Sequence, residues 1–192
     1  KGYDVLISAL ASLIDLPWRL TIAGDLTRDV ATAAQLDAAI QNYGLKSRVA
    51  VLGAVNSESL SEFYLAADIF VLASRFESYG MALTEALAHG LPVVSTKAGA
   101  IPYTVPANSS LLVPPDDTMA LADALRRLIV NEAGRHRLAR NARAAGRLLP
   151  TWADAARRFA DVIEATRQTA HAIKPAKQNK AAQRRLTASA PI

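Results

Sequence analysis

The sequence predicts an α/β protein: a Rossmann-like parallel sheet with helices on both faces, followed by C-terminal helices. Three observations carry this. Short apolar runs, too brief for helices, take turns with longer stretches of 3.6-residue periodicity. The short runs do not alternate polar with apolar residues, which is how strands read when both faces are covered. Four of these runs stop at a glycine or a small polar residue, Gly24, Gly53, Ser74 and Thr96. In such sheets ligands bind at the carboxyl ends of the strands.

Taken in order, residues 3–14 place Val5, Leu6, Leu10, Leu13 and Ile14 at helical spacing, and Pro17 ends the segment. Residues 19–24, RLTIAG, read as a buried strand. Residues 29–43 form an amphipathic helix that Gly44 would cap. Residues 48–53 are again strand and glycine. Residues 57–67 give a short helix behind a capping serine, and residues 68–74, DIFVLAS, a third strand. A helix over about 79–89 and a strand over 92–96 follow, with a fifth strand over 110–115. From Asp116 the chain reads as helix almost to Ala170, punctuated near Asn131 and Pro150. Residues 171–192 read as a basic disordered tail behind a folded domain of residues 1–170, because periodicity stops and Lys, Ala, Gln, Arg and Ser take over.

Composition excludes several classes. The 192 residues suffice for one domain with a real core, and half of them are hydrophobic. No apolar run approaches the roughly 20 residues of a membrane span, and the start lacks a signal-peptide pattern. With no cysteine, disulfides and thiolate metal sites are excluded, and a cytoplasmic location is expected. The three histidines, His89, His136 and His171, show no ligand spacing. The net charge of +5 resides in the five basic residues from Lys174 onward, so the high pI does not argue for nucleic acid. Because the chain opens on Lys1 and passes directly into a helix, it reads as part of a longer protein.

The chemistry concentrates in residues 76–102, FESYGMALTEALAHGLPVVSTKAGAIP. The helix here is apolar on nearly every side, and Glu85 is its only formal charge. A buried carboxylate costs several kcal/mol unless it accepts hydrogen bonds, and two vicinal hydroxyls would satisfy it, as in dinucleotide folds. At the helix start, the N–H groups of Gly80, Met81 and Ala82 lack helical partners and suit a phosphate. Glu77, in the preceding loop, would then accept hydroxyl hydrogen bonds from whatever the phosphate carries. Together these parts describe a site for a nucleotide sugar. The plainer reading also stands: Glu77 as a helix cap, and Glu85 as the partner of a core arginine.

The same stretch resembles the signature of the retaining glycosyltransferases of the GT-B fold, the group 1 or family 4 class. The resemblance rests on Glu77, Glu85, Ala86, Gly90, Pro92, Val93 and Val94, and on KGYDVLISAL, LTIAGD, VLGAV, FYLAADIFVLASRFESYG and LLVPPDD in the family's order, over roughly residues 1–130. It implies the donor-binding, C-terminal half of such an enzyme. Glu77 would contact donor-sugar hydroxyls, Ser78, Tyr79, Gly80, Met81 and Ala82 would offer backbone N–H groups to sugar and diphosphate, and Glu85 would hold the ribose. Lys1 would neutralise the diphosphate leaving group. Gly53, Ala54 and Val55 would lie beside the nucleobase, and Gly24 near the phosphates. Tyr103 stands where relatives often carry Glu or Asp, so no donor contact is assigned there. In the family's topology a central strand bearing an arginine precedes Lys1, between the strands at 19–24 and 68–74.

The resemblance further implies hexosyl transfer from a nucleoside diphosphate sugar, with retention and without a metal or other cofactor. The acceptor, a glycan or a lipid-linked sugar, would belong to an N-terminal domain, with peripheral contact at the inner face of the membrane. The rival reading is a nucleotide-sugar-binding module that transfers nothing. Elsewhere, His89 is expected to cap its helix rather than act in catalysis, and Tyr79 either stacks on a ligand or packs at the helix entry. Trp18 and Trp152 are expected to fill core or helix contacts. The arginine-rich run 135–147 is expected to be a solvated basic helix face.

Overall fold

A computed structural model describes residues 1–172, and the expected tail lies outside the described residues from 173 onward. Five parallel strands and eight α-helices follow one another: α1 (Tyr3–Ala11), β1 (Leu20–Ala23), α2 (Val30–Asn42), β2 (Val49–Gly53), α3 (Ser57–Ala66), β3 (Phe70–Leu72), α4 (Met81–Ala88), β4 (Val93–Thr96), α5 (Ile101–Thr104), β5 (Ser110–Val113), α6 (Thr118–Val130), α7 (Glu132–Gly146) and α8 (Trp152–Ala172). Residues 1–149 form one compact unit; α8 belongs to a second and is described by itself.

The strands pair as β1–β2 and as β3–β4–β5, all parallel. Among the described residues β1, β2, β3 and β5 each have one edge without a strand partner, and β1 and β3 are two of them. The family's central strand was expected between β1 and β3.

Helices cover both faces of the three-stranded sheet, and strand alternation shows it. Val71, Val94, Leu111 and Val113 join the apolar cluster of α1 and α6, built on Leu6, Leu10, Leu121 and Leu125. Phe70, Leu72, Val93 and Leu112 join the opposite cluster with Tyr64, Leu83, Leu87 and Ile101. Only β4 is buried along its whole length. The expectation of two covered faces fails for β1 and β2. There Ile22, Val49 and Val51 turn to the first cluster while Thr21, Ala50 and Leu52 are exposed. Two-residue alternation sends Thr21, Ala50 and Leu52 to the face opposite that cluster.

Helix ends follow capping chemistry. Asp29, Asn56, Asp117 and Asn131 accept from the third N–H beyond them, satisfying donors that the first turn leaves over. In α4 the helix starts at Met81 rather than near residue 79. Gly80 occupies the left-handed region at φ 84°, which an α-helix cannot include, and a Cβ there would come within 2.6 Å of Leu83 Cδ1.

Other packing roles resolve as well. Trp18 is buried and donates its indole N–H to the Leu13 carbonyl at 2.8 Å, with the Arg48 guanidinium over its ring. Trp152 stands 83% exposed at the start of α8, unlike the packing expected of it. In α7 Leu138 and Ala142 are buried while Arg137, Arg140 and Arg143 are exposed, as a basic solvated face requires. Arg135 differs: it donates to the Leu128 and Ile129 carbonyls at the end of α6.

Candidate functional site

The carboxyl edge of β3 and β4 shapes the site. Beyond β3 the chain runs through Ala73 and Ser74, both buried, and the Thr96 hydroxyl at the end of β4 donates to the Ser74 carbonyl. The loop 75–80 then turns into α4. Two contacts from the segment after β4 brace it: Ala100 N–H donates to the Glu77 carbonyl at 2.8 Å, and the Thr104 hydroxyl to the Tyr79 carbonyl at 2.7 Å. The loop is thereby tied at Glu77 and Tyr79 to the segment after β4.

Within this frame Lys1 and Glu77 form an ion pair, and the Ser74 hydroxyl donates to the same Glu77 oxygen at 2.9 Å. The Glu77 side chain is 11% exposed. Burial alone would push its carboxyl up, but the hydrogen bonds from Lys1 and Ser74 and the lysine charge outweigh it and hold the group below the usual range. Lys1 reaches Glu77 because Gly2 lies directly on the chain after β3. A Cβ on Gly2 would sit 2.1 Å from the Ala73 carbonyl oxygen, and Gly2 has φ 66°. Arg75 adds a second tie. It donates to both Asp4 oxygens at 3.1 and 2.7 Å and, through Nε, to Asp116 at 2.7 Å.

The remaining expected residues divide into two groups. Ser78 and Tyr79 are exposed in the loop, and Gly80 is buried as the cap of α4. Met81 is exposed and Ala82 half-buried in the first turn. Among the described residues the N–H groups of Met81 and Ala82 have no protein partner. Glu85 lies four residues into α4, about 6 Å along its axis from Met81. It is half-buried, and it accepts from the Tyr64 hydroxyl at 3.0 Å, not from a core arginine. Gly24, Gly53, Ala54 and Val55 occupy the carboxyl edge of the other sheet, where Gly24 N–H donates to the Gly53 carbonyl at 2.8 Å. No hydrogen bond or ion pair joins these four to Lys1, Glu77 or Glu85 among the described residues. A Cβ on Gly24 or Gly53 would meet no protein atom within 4 Å, so the edge above them is open.

Sequence reasoning missed three participants. Ser74 was visible as a strand end, and its spacing to Glu77, Ser-x-x-Glu, is that of a capping box, a signal of a local side-chain contact. Tyr64 and the Arg75–Asp4–Asp116 cluster had no such signal. His89 ends α4 as expected of a cap, its Nδ1 at 2.8 Å from the Glu85 carbonyl. Among the described residues no group of three or more metal-ligating side chains converges, and no helix is long and apolar enough to cross a membrane.

Parallel strands flanked by helices, with a candidate site on their carboxyl edge, make an α/β fold similar to that of GT-B glycosyltransferases. The sequence profile described as "Glycosyl transferases group 1" matches residues 1–145. The chain belongs to that family. It is 36% identical over 163 residues to D-inositol 3-phosphate glycosyltransferase of Xylanimonas cellulosilytica, covering 84% of this chain and 39% of the relative. Sucrose-phosphate synthase from Thermosynechococcus elongatus superposes with a TM-score of 0.77 at 31% identity, over 90% of this chain and 43% of that one. HepE of Anabaena, solved in complex with UDP and glucose, gives 0.77 at 26% identity over 86% and 45%. The relatives match through the C-terminal part of their own chains, and this chain spans about two fifths of the length of the curated relative above.

Proposed function

We propose that the complete protein transfers a hexosyl unit from a nucleoside diphosphate sugar to an acceptor with retention at the anomeric carbon, and that residues 1–149 bind the donor. The observation that carries this reading is the Lys1–Glu77–Ser74 constellation in the loop leading into the first turn of α4. UDP and glucose in the related HepE structure support the ligand class.

In this reading Glu77, with one oxygen engaged by Lys1 and Ser74, offers the other to hydroxyls of the transferred sugar. The Lys1 ammonium has three donors, so pairing with Glu77 is compatible with a diphosphate oxygen. The N–H groups of Met81 and Ala82, with the positive end of α4, receive phosphate, while Ser78 and Tyr79 line the sugar side. Glu85 accepts from the ribose hydroxyls. Gly24 borders the phosphates, and Gly53, Ala54 and Val55 border the base. As the glycosidic bond breaks, the sugar gains oxocarbenium character and negative charge builds on the departing diphosphate. Lys1 and the helix N–H groups stabilise that charge from fixed positions. The acceptor, a glycan or a lipid-linked sugar, is assigned to a domain outside this chain, working at the cytoplasmic face of the membrane.

Glu85→Gln should weaken nucleoside diphosphate binding by about 1.5–3 kcal/mol, the loss expected for a charged acceptor. Titration calorimetry with ribo and 2′,3′-dideoxy ligands checks it, and equal losses for the two would remove the ribose assignment. The reaction itself is tested by proton NMR of the first product formed, where an inverted anomeric configuration overturns retention. Since the diphosphate charge is assigned to Lys1 and backbone donors, the rate should survive EDTA, and loss of rate rescued by a divalent metal would contradict that assignment.

A further inference from the structure

Resting on that ribose reading, we propose that Tyr64 is the positioning residue that aims Glu85, and that His89 and Ser61 hold Tyr64 and α4 in place for it. The observation is a closed set of contacts between α3 and α4. The Tyr64 hydroxyl donates to Glu85 Oε2 at 3.0 Å, and its ring stacks on the His89 imidazole with centroids 4.8 Å apart and planes 21° from parallel. His89 Nδ1 lies 2.8 Å from the backbone carbonyl of Glu85, and Nε2 lies 3.1 Å from the Ser61 hydroxyl.

A carbonyl oxygen only accepts, so Nδ1 carries the proton and donates to Glu85, and Nε2 shares a hydrogen bond with the Ser61 hydroxyl. Burial, reinforced by the Glu85 hydrogen bond and charge, raises the Tyr64 pKa well above the ordinary phenol value, so the hydroxyl is a permanent donor. Tyr64 itself is 8% exposed and belongs to the apolar cluster of α4 and β4, beside Phe70 and Leu83, so it cannot follow a wandering carboxylate.

Glu85 is therefore held twice, at its main-chain carbonyl by His89 and at one carboxylate oxygen by Tyr64, and the two holders are stacked on each other. A glutamate side chain otherwise samples many rotamers, whose loss on binding lowers affinity. Fixing Oε2 leaves Oε1, on the same rigid carboxylate, for a diol in one orientation. Tyr64 reaches no substrate in this arrangement and acts through Glu85.

The test is Tyr64→Phe in the complete protein, which removes one oxygen atom and keeps the ring and its stack. The probe is whichever of UDP, GDP and ADP binds most tightly, compared with its 2′,3′-dideoxy form. Affinity for the ribo ligand should fall roughly 3- to 20-fold, less than the roughly 10- to 150-fold that a hydrogen bond to a charged group is worth because Glu85 itself remains, and affinity for the dideoxy ligand should not change. In a Glu85→Gln background Tyr64→Phe should add nothing further. Equal losses for both ligands, or an undiminished loss in the double variant, overturn the positioning role. If Tyr64→Phe lowers the melting temperature sharply, His89→Phe replaces it; that variant keeps an aromatic stack and should show a smaller loss confined to the ribo ligand. A response of Glu85→Gln together with silence of Tyr64→Phe sinks this assignment alone. If Glu85→Gln is itself without effect on the ribo ligand, the ribose reading falls and takes the assignment with it.

Discussion

Gly2 and Arg75 both act on the Lys1–Glu77 pair, and magnitudes separate what each contributes. At Gly2 a methyl group would strike the Ala73 carbonyl, and φ 66° is a strained value for an L-residue. Gly2→Ala should therefore cost about 2–4 kcal/mol and pull Lys1 away from Glu77. Arg75, Asp4 and Asp116 are each about half exposed or more, so solvent screens their contacts. Arg75→Ala should cost no more than about 1 kcal/mol, and a larger loss by thermal melt would show that the cluster acts as a cooperative network. Glu77 adds a pH dependence. Its folded pKa lies below the unfolded value, so its contribution is complete above about pH 4.3 and disappears as pH falls through the folded value. Ser74→Ala removes one of the bonds that lower it, so the acid loss should be smaller and finish at higher pH; identical acid limbs in the two melts would exclude Ser74 as a contributor. The part of this site legible in the sequence was its local part: Glu77, Glu85 and the first-turn N–H groups lie within nine residues. Tyr64 is 21 residues from Glu85 and Arg75 is 71 from Asp4, distances that no residue spacing encodes.

At the scale of elements, β4 and α4 should dominate stability around the site. Leu83 and Leu87 on α4 have no exposed surface, so Leu87→Ala should cost about 2–5 kcal/mol by transfer and cavity terms together. Chemical denaturation measures it, and a loss under 1 kcal/mol would mean that α7 and β4 collapse onto the gap. β4 is paired on both sides, whereas β1, β2, β3 and β5 each have an edge without a strand partner among the described residues. Amide exchange in this chain should therefore be slowest in Val93–Thr96. Every long element was legible, because each carries its own period and cap. Boundaries moved where a backbone angle decides, as at Gly80. The open face of β1 and β2 was legible too, in the alternation of Leu20, Thr21 and Ile22, but the apolar content of the run outweighed it. The short helix α5 was not foreseen, since four residues are too few to show a period.

For the whole molecule, both apolar clusters lie within residues 1–149. Ending the chain at Leu149 should leave the melting temperature of that unit unchanged, and circular dichroism of the two lengths decides it. A drop of many degrees would mean that residues beyond 149 contribute to the core. The net positive charge was legible only after it was divided along the chain, because the whole excess lies beyond the described residues. Both sheets and both covered faces of the larger one follow from patterns that act over a few residues. Their split into two groups depends instead on which strands lie side by side, a matter of topology that came from the family resemblance.

The tie from Arg75 to Asp4 also sets an order of events while the protein is being synthesised. α1 emerges before the segment that anchors it, and at about 5–20 residues per second the wait for Arg75 lasts roughly 4–14 s. During that interval α2, β1 and β2 can already pack on the apolar face of Val5, Leu6, Ile7, Ala9 and Leu10, but α6, its other cover, has not been made. The last part of that face therefore stays open until α6, at Thr118–Val130, has followed Arg75 out.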